Sequence, residues 1–185
     1  MAIKLKNLSF SYGDTPVLKD FSLTVEKNDR VLISGPSGAG KTTLFRLILG
    51  LEKATSGDIS VPEKISAVFQ EDRLFEGVSV IKNLASTGPK EEAERLLTLA
   101  GLSGVKNKLP AELSGGMKRR VAILRALNFD ADALLLDEPF NGLDDDNKKI
   151  MASLILEKYG DKPILLISHN KEDALLLGAR IVNLE

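Results

Sequence analysis

The chain has no cysteine and a single histidine among its 185 residues. Disulfides, thiolate metal centres and cysteine nucleophiles are thereby excluded, and any imidazole chemistry falls on His169 alone. Charge of one sign is lacking too: 25 Lys and Arg stand against 26 Asp and Glu, a formal net charge of −1. No global field attracts nucleic acid or anionic lipid, and no nucleic-acid partner is expected. Long hydrophobic runs are also missing. The longest, Ala133–Leu136 and Ile164–Ile167, are far too short to span a bilayer. Met1–Phe10 alternates Lys with apolar residues and has no continuous apolar core, unlike a signal peptide. These absences predict a soluble chain whose membrane spans, if it works at a membrane, come from other proteins. Its length suits one good core and is short for two independent domains.

What is present is a succession of short patterned segments. Ile3–Tyr12 and Val17–Val25 alternate apolar and polar residues as antiparallel strands do, with Gly13 and Asp14 as their turn. Val31–Ile33 reads as a buried strand, and Thr43–Gly50 as a helix with Leu44, Leu47 and Ile48 on one face. Asp58–Val61 and Ile65–Phe69 form a second small β segment. Val78–Leu84, Lys90–Gly101 and Gly116–Asn128 carry helical periodicity and suggest an inserted helical subdomain. Strands Ala133–Leu136, Ile164–Ile167 and Ile181–Leu184 then alternate with helices Asp145–Tyr159 and Lys171–Leu177. Such alternation around short apolar runs predicts an α/β fold with a largely parallel sheet.

Between the first buried strand and its helix stand Gly35, Pro36, Ser37, Gly38, Ala39, Gly40, Lys41 and Thr42. They match the Walker A phosphate loop without exception. Glycines let backbone N–H groups converge on phosphate oxygens, and the helix offers its positive N-terminal end. Lys41 can neutralise the β and γ phosphates, the Thr42 hydroxyl can ligate Mg²⁺, and Thr43 adds a contact near the α phosphate. The bland alternative, a Gly-rich turn that binds nothing, fits the flanking strand and helix poorly. Downstream, the apolar run Ala133–Leu136 ends in Asp137 and Glu138. In a nucleotide site Asp137 holds Mg²⁺ and Glu138 orients or activates the attacking water. Alone, two acids at a strand end could equally be a loop entry.

A second Gly-rich turn, Leu113–Ser114–Gly115–Gly116–Met117, precedes Lys118, Arg119 and Arg120. The order of phosphate loop, second turn and acidic strand end resembles the ATP-binding cassette family, the motor subunits of ABC transporters. That family usually carries Leu-Ser-Gly-Gly-Gln, so Met117 departs from it. The resemblance covers nearly the whole chain. It implies a RecA-like P-loop NTPase core, an N-terminal antiparallel β subdomain and a helical subdomain of about residues 71–128, all in one ABC ATPase domain over 1–185.

It also implies a site shared by two cassettes packed head to tail, as a homodimer or a paired cassette. Ser114, Gly115, Gly116 and Met117 of one would face the ATP held by the other, with Asp144 in the loop that meets the partner. Ser114 and the glycines also suit a plain helix N-cap. His169 corresponds to the switch histidine on the γ phosphate, and Asn170 follows it where Asp is usual. Gln70 corresponds to the glutamine that contacts Mg²⁺ and water, completing a catalytic set with Glu138, His169 and Lys41. Tyr12 corresponds to the aromatic that stacks on adenine, although a half-buried strand-end Tyr has the same pattern. Asp144, Asp145 and Asp146 read as a helix start, not a metal site. Lys118, Arg119 and Arg120 read as an exposed helical turn, not a nucleic-acid contact.

The implied function is ATP hydrolysis driving solute import through separate transmembrane permease subunits that bind by their coupling helices. The implied place is the cytoplasmic face of the cell membrane. Leu74, Phe75, Val78 and Val80 suit either a groove for such a helix or internal packing. Gln70–Phe75 looks closest to small-anion or organosulfonate importers. The segments 53–69 and 72–112 look short for the family and little follows His169, so a minimal cassette without a regulatory domain is expected. The alternative function is a soluble ABC-type ATPase serving a macromolecular assembly such as iron–sulfur cluster biogenesis. A P-loop small-molecule kinase would leave the second Gly-rich turn without a purpose.

Overall fold

Two strands alternating apolar and polar residues open the chain, and each buries one face. The computed structural model describes residues 2–184, so Met1 and Glu185 lie outside it. Strands β1 (Ile3–Tyr12) and β2 (Thr15–Val25) pair antiparallel, with Leu5 opposite Leu23 and Tyr12 opposite Thr15. The alternation of β1 is broken once. Ile3 and Leu5 point inward, then Leu8 and Phe10, with a register shift between the pairs. Asn7 occupies this bulge at φ 49°, a left-handed backbone that Asn tolerates. Its amide donates to Asp20 at 2.7 Å.

Strand β3 (Arg30–Ser34) leads to helix α1 (Lys41–Ile48). Strand β4 (Ser56–Ser60) and strand β5 (Ile65–Val68) follow, then three helices: α2 (Val80–Ala85), α3 (Lys90–Leu99) and α4 (Gly115–Asn128). The chain finishes as β6 (Ala133–Asp137), α5 (Asp145–Tyr159), β7 (Ile164–Ile167), α6 (Glu172–Leu177) and β8 (Arg180–Asn183).

Here the structure corrects one reading. The stretches 58–61 and 65–69 are not one β segment. β4 joins the antiparallel sheet β2-β1-β4, whereas β5 is the edge of the five-stranded sheet β5-β6-β7-β3-β8. Both are short, and β4 carries only Ile59 as an apolar residue, so tertiary partners separate them: Leu5 faces Ile59 on one side, Val68 faces Leu136 on the other.

All neighbours in the five-stranded sheet run parallel. Its inner strands β3, β6 and β7 are therefore buried on both faces and read as continuous apolar runs, while the edge strands β5 and β8 are partly exposed. Val31, Ile33, Leu135, Leu165 and Ile167 face α1 and the antiparallel sheet; Leu32, Leu134, Leu136, Ile164 and Leu166 face the helices of the other side. α1 lies between the two sheets, burying Leu44, Phe45, Leu47 and Ile48. Parallel strands share one direction, so the chain leaves β3, β6 and β7 at a common edge, where open α/β sheets bind ligands.

Candidate active site

That edge is where the sequence puts its chemistry. A cleft of about 540 Å³ is lined by Tyr12, Gly35, Ser37, Gly38, Gly40, Lys41, Thr42, Thr43, Gln70, Asp137, Glu138 and His169. β3 delivers the phosphate loop, β6 delivers Asp137 and Glu138, β7 delivers His169, β5 leads to Gln70 and β1 ends in Tyr12. A separate depression of about 600 Å³ between α1 and β4 holds none of these residues.

The loop is shaped by what its glycines omit. Gly38 and Gly40 have φ of 85° and 89°, and a Cβ on Gly40 would sit 2.8 Å from the Val17 side chain. A Cβ on Gly35 would collide with the Leu184 carbonyl of the neighbouring chain segment. Gly40 is also the N-cap of α1 and provides no side-chain acceptor, so the first N–H groups of that helix keep their hydrogen-bonding capacity for an anion. The Lys41 ammonium donates to the Gly35 and Pro36 carbonyls, each at 2.8 Å, and is thereby held over the loop. Tyr12 is half exposed at the cleft mouth, edge-on to Phe10 with ring centroids 4.8 Å apart.

The carboxylates behave differently. Asp137 is buried, and burial first, then the neighbouring Glu138, pushes its carboxyl above the usual range; Arg119 and Lys41 oppose the shift. Glu138 has φ 50°, a left-handed conformation that costs a non-glycine residue roughly 1–2 kcal/mol. Such strain persists where surrounding contacts fix it. Its Oε1 accepts from the His169 backbone N–H at 3.1 Å and lies 2.9 Å from His169 Nδ1, while the Ser168 hydroxyl lies 3.3 Å from Oε2. Ser168 also donates to Asp173 at 2.6 Å and accepts from the Asn170 N–H at 3.0 Å. Asn170 Oδ1 in turn accepts from Glu172 N–H at 3.0 Å, bracing the start of α6.

Ser114, Gly115, Gly116 and Met117 lie elsewhere. Ser114 is the N-cap of α4 and accepts from the Met117 N–H at 3.3 Å. The turn lines its own depression of about 340 Å³ with Arg120, Gly142, Leu143, Asp144 and Asn147. Asp144 caps α5, accepting from the Asn147 N–H and side-chain amide at 2.8 Å each. Those bonds hold its carboxyl below the usual range.

One expectation about side-chain exposure needs correction, and one open pair of readings is divided. Arg119 is not part of an exposed turn: it is 4 % exposed, and Lys118 and Arg120 are half-buried. The helical period puts Arg119 on the same stripe as Ala122, Ile123 and Ala126, all buried, and that stripe was the available signal. The set Leu74, Phe75, Val78 and Val80 divides. Val80 is wholly buried in the helical layer, whereas Phe75 is 56 % exposed beside Arg73 and Arg125 in a depression of about 410 Å³.

The chain's similarities fit this geometry. Residues 18–141 match the family model described as ABC transporter. The aliphatic sulfonates import ATP-binding protein SsuB 1 of Rhodococcus jostii is 40 % identical, over 98 % of this chain and 78 % of that protein. The taurine import ATP-binding protein TauB of Jannaschia sp. is 37 % identical, over 97 % of this chain and 76 % of its own length. Among solved structures, a dimeric ATP-binding cassette in a post-hydrolysis state, bound to ADP and Pi, superposes with a TM-score of 0.87 at 29 % identity, covering 99 % of this chain and 94 % of that one. A phosphate loop at a parallel sheet edge, two acids at the end of β6 and a second Gly-rich turn outside the cleft thus coincide with whole-chain similarity, and the chain belongs to the ABC transporter family as an ATP-hydrolysing cassette.

Proposed function

We propose that this chain is the importer-type motor subunit in which two cassettes, head to tail, share each ATP. The observation that carries this reading is the separation of the two Gly-rich turns. The phosphate loop, Asp137, Glu138 and His169 line one cleft; Ser114, Gly116, Met117 and Asp144 line another, with no residue in common. Gly115 sharpens the point. Its φ is not in the left-handed region, and a Cβ there would meet nothing within 4 Å, so the chain's own fold does not require glycine. Close approach of a second molecule's phosphate would.

Within the cleft, Gly35–Thr43 cradle the phosphates through backbone N–H groups, and Lys41 exchanges its two loop carbonyls for β and γ oxygens. Tyr12 stacks on the base at the mouth. Glu138 orients the attacking water and accepts its proton, and His169, bonded to that carboxylate, steadies the γ phosphate. Thr42, Gln70 and Asp137 all line the cleft and carry a hydroxyl, an amide and a carboxylate. Such an all-oxygen set suits Mg²⁺ with several of its waters retained. When bound, Mg²⁺ neutralises phosphate charge.

Among the described residues no helix is long and apolar enough to cross a membrane; the reading as a peripheral subunit on the cytoplasmic face rests on the likeness to import ATP-binding proteins. Transmembrane permeases would dock a coupling helix by exposed Phe75 in the groove with Arg73 and Arg125. We read residues 1–185 as one ABC ATPase domain with 71–128 as its helical part. The relatives above lend support to import, with sulfonates as the first solutes to assay, and none to an iron–sulfur assembly role. The test is Glu138→Gln: ATP still binds and dimers accumulate, while turnover falls about 10²–10⁴-fold. Turnover at the wild-type rate would refute the role of Glu138.

A further inference from the structure

Arg119 takes no part in holding phosphate, yet it joins the pieces that do the work. Its Nε–H donates to the Pro139 carbonyl at 3.0 Å, and Nη2 donates to the carbonyls of Asp137 at 2.6 Å and Glu138 at 2.7 Å. Nη1 donates to the Phe69 carbonyl at 2.6 Å, the Gln70 carbonyl at 3.3 Å and Asp72 Oδ1 at 3.2 Å. Every N–H of the guanidinium is thereby used. A buried cation is costly unless its donors are all satisfied, so this site is specific for a planar fork of donors and poorly suited to Lys.

The side chain springs from α4, the helix whose N-terminus is the Ser114 turn, and every acceptor lies on the strand end of Glu138 or the loop of Gln70. The neighbouring arginines do not reach that strand end. Arg120 bonds the Ala100 carbonyl, and Arg125 bonds the Arg73 and Asp72 carbonyls of the loop that Arg119 also holds. Arg119 also takes the Glu138 carbonyl from behind, where that residue's left-handed backbone needs external fixing.

We propose that Arg119 is a positioning residue for hydrolysis. It makes the helix of the Ser114 turn and the strand end of Glu138 one rigid piece. The turn a chain offers its partner and the base it offers its own ATP are therefore set together. This rests on the reading that the Ser114 turn completes the partner's site.

The experiment places Arg119→Met and Arg119→Gln in the wild-type and Glu138→Gln chains. It measures melting temperature, ATP binding by the dilute monomer, the ATP concentration for half-dimerisation in the Glu138→Gln background, and KM and kcat in the wild-type background. Monomer ATP affinity stays within about twofold, because the phosphate loop is untouched. Half-dimerisation needs about tenfold more ATP, and kcat falls roughly tenfold or more, since a ~1 Å misplacement can cost 10²-fold. If Arg119→Met does not fold, Arg119→Gln, which keeps two donors, carries the same readouts. A lowered melting temperature with dimerisation and kcat of the folded protein unchanged overturns the proposal. So does a loss of kcat with normal dimerisation, which would confine Arg119 to its own chain's strand end. A Ser114→Ala/Glu138→Gln control separates the two levels. Its normal dimerisation overturns the trans reading and the link with it, whereas its failure beside a normal Arg119 variant overturns the link alone.

Discussion

The phosphate loop and the Ser114 turn are both Gly-rich, both open a helix, and need their glycines for opposite reasons. Gly40 is demanded from within: its backbone is left-handed and the Val17 side chain fills the space where a Cβ would be. Gly115 is demanded by nothing inside the chain, since its Cβ position is open. The first turn is shaped by contacts within its own fold. The second displays bare backbone to the exterior. The charges follow the same division. Asp137 in the cleft wall and Asp173, which accepts from Ser168, are raised by burial, whereas exposed Asp144 beside the second turn is lowered by bonds from Asn147. On the proposed reading, one half of the machinery is finished inside the molecule and the other by a second copy.

Several substitutions can break or sharpen that contrast. The largest expected effect after Glu138→Gln is Gly40→Ala. It should lower stability by about 1–2 kcal/mol from the left-handed backbone alone, with a further loss from the Val17 contact, and weaken ATP binding of the monomer. A calorimetric melt and an ATP titration check this; unchanged values would deny that the loop is internally strained. Gly115→Ala should do the reverse. Alanine is the better helix former by roughly 0.5–1 kcal/mol, so the melting temperature holds or rises while ATP-driven dimerisation weakens about tenfold through a crowded contact. A destabilised Gly115→Ala chain would erase the contrast.

Two acids give opposite pH signatures. Burial raises the Asp173 carboxyl in the folded state, ahead of the opposing Ser168 bond, so the folded chain holds that proton to higher pH than the unfolded one. Wild type therefore loses this increment as pH rises from the ordinary carboxylate range through the raised value. The melting temperature of Asp173→Asn relative to wild type should climb over that window. Asp144 is lowered, so its contribution is present above the ordinary carboxylate range and lost as pH falls through the lowered folded value. Asp144→Asn should thus be less stable than wild type near neutrality and converge with it in acid. Matching slopes for the two variants would contradict the assigned environments. The smallest effect is Met117→Gln, which restores a hydrogen-bonding group in the second turn and should tighten ATP-driven dimerisation by about threefold or less.

Much of the cleft was legible because spacing encodes it. The residues Gly35 to Thr42 allow one backbone path between a buried strand and a helix, and the run Ala133–Leu136 could only deliver Asp137 and Glu138 at a strand end. Other features were hidden because they depend on partners distant in sequence. Ile59 and Ile65 look alike along the chain and join different sheets. The bulge at Asn7 interrupts an alternation that otherwise reads straight through. Arg119 appeared as one of three consecutive cations, and its charge outweighed the helical stripe it shares with Ala122, Ile123 and Ala126. The contact of His169 with Glu138 needed the parallel order of β6 and β7, which pairs Asp137 with Ile167.

The division of one ATP site between two chains is tested most directly by complementation. Lys41→Ala disables the phosphate loop and Ser114→Ala disables the turn, so each purified variant should be nearly inactive alone. Mixed dimers place an intact Lys41 opposite an intact Ser114 at one of their two sites. The measurement is the ATPase rate of an equimolar mixture, and the expected result is recovery to about a quarter of the wild-type rate under random pairing. A mixture no faster than its two inactive parts would contradict a shared site.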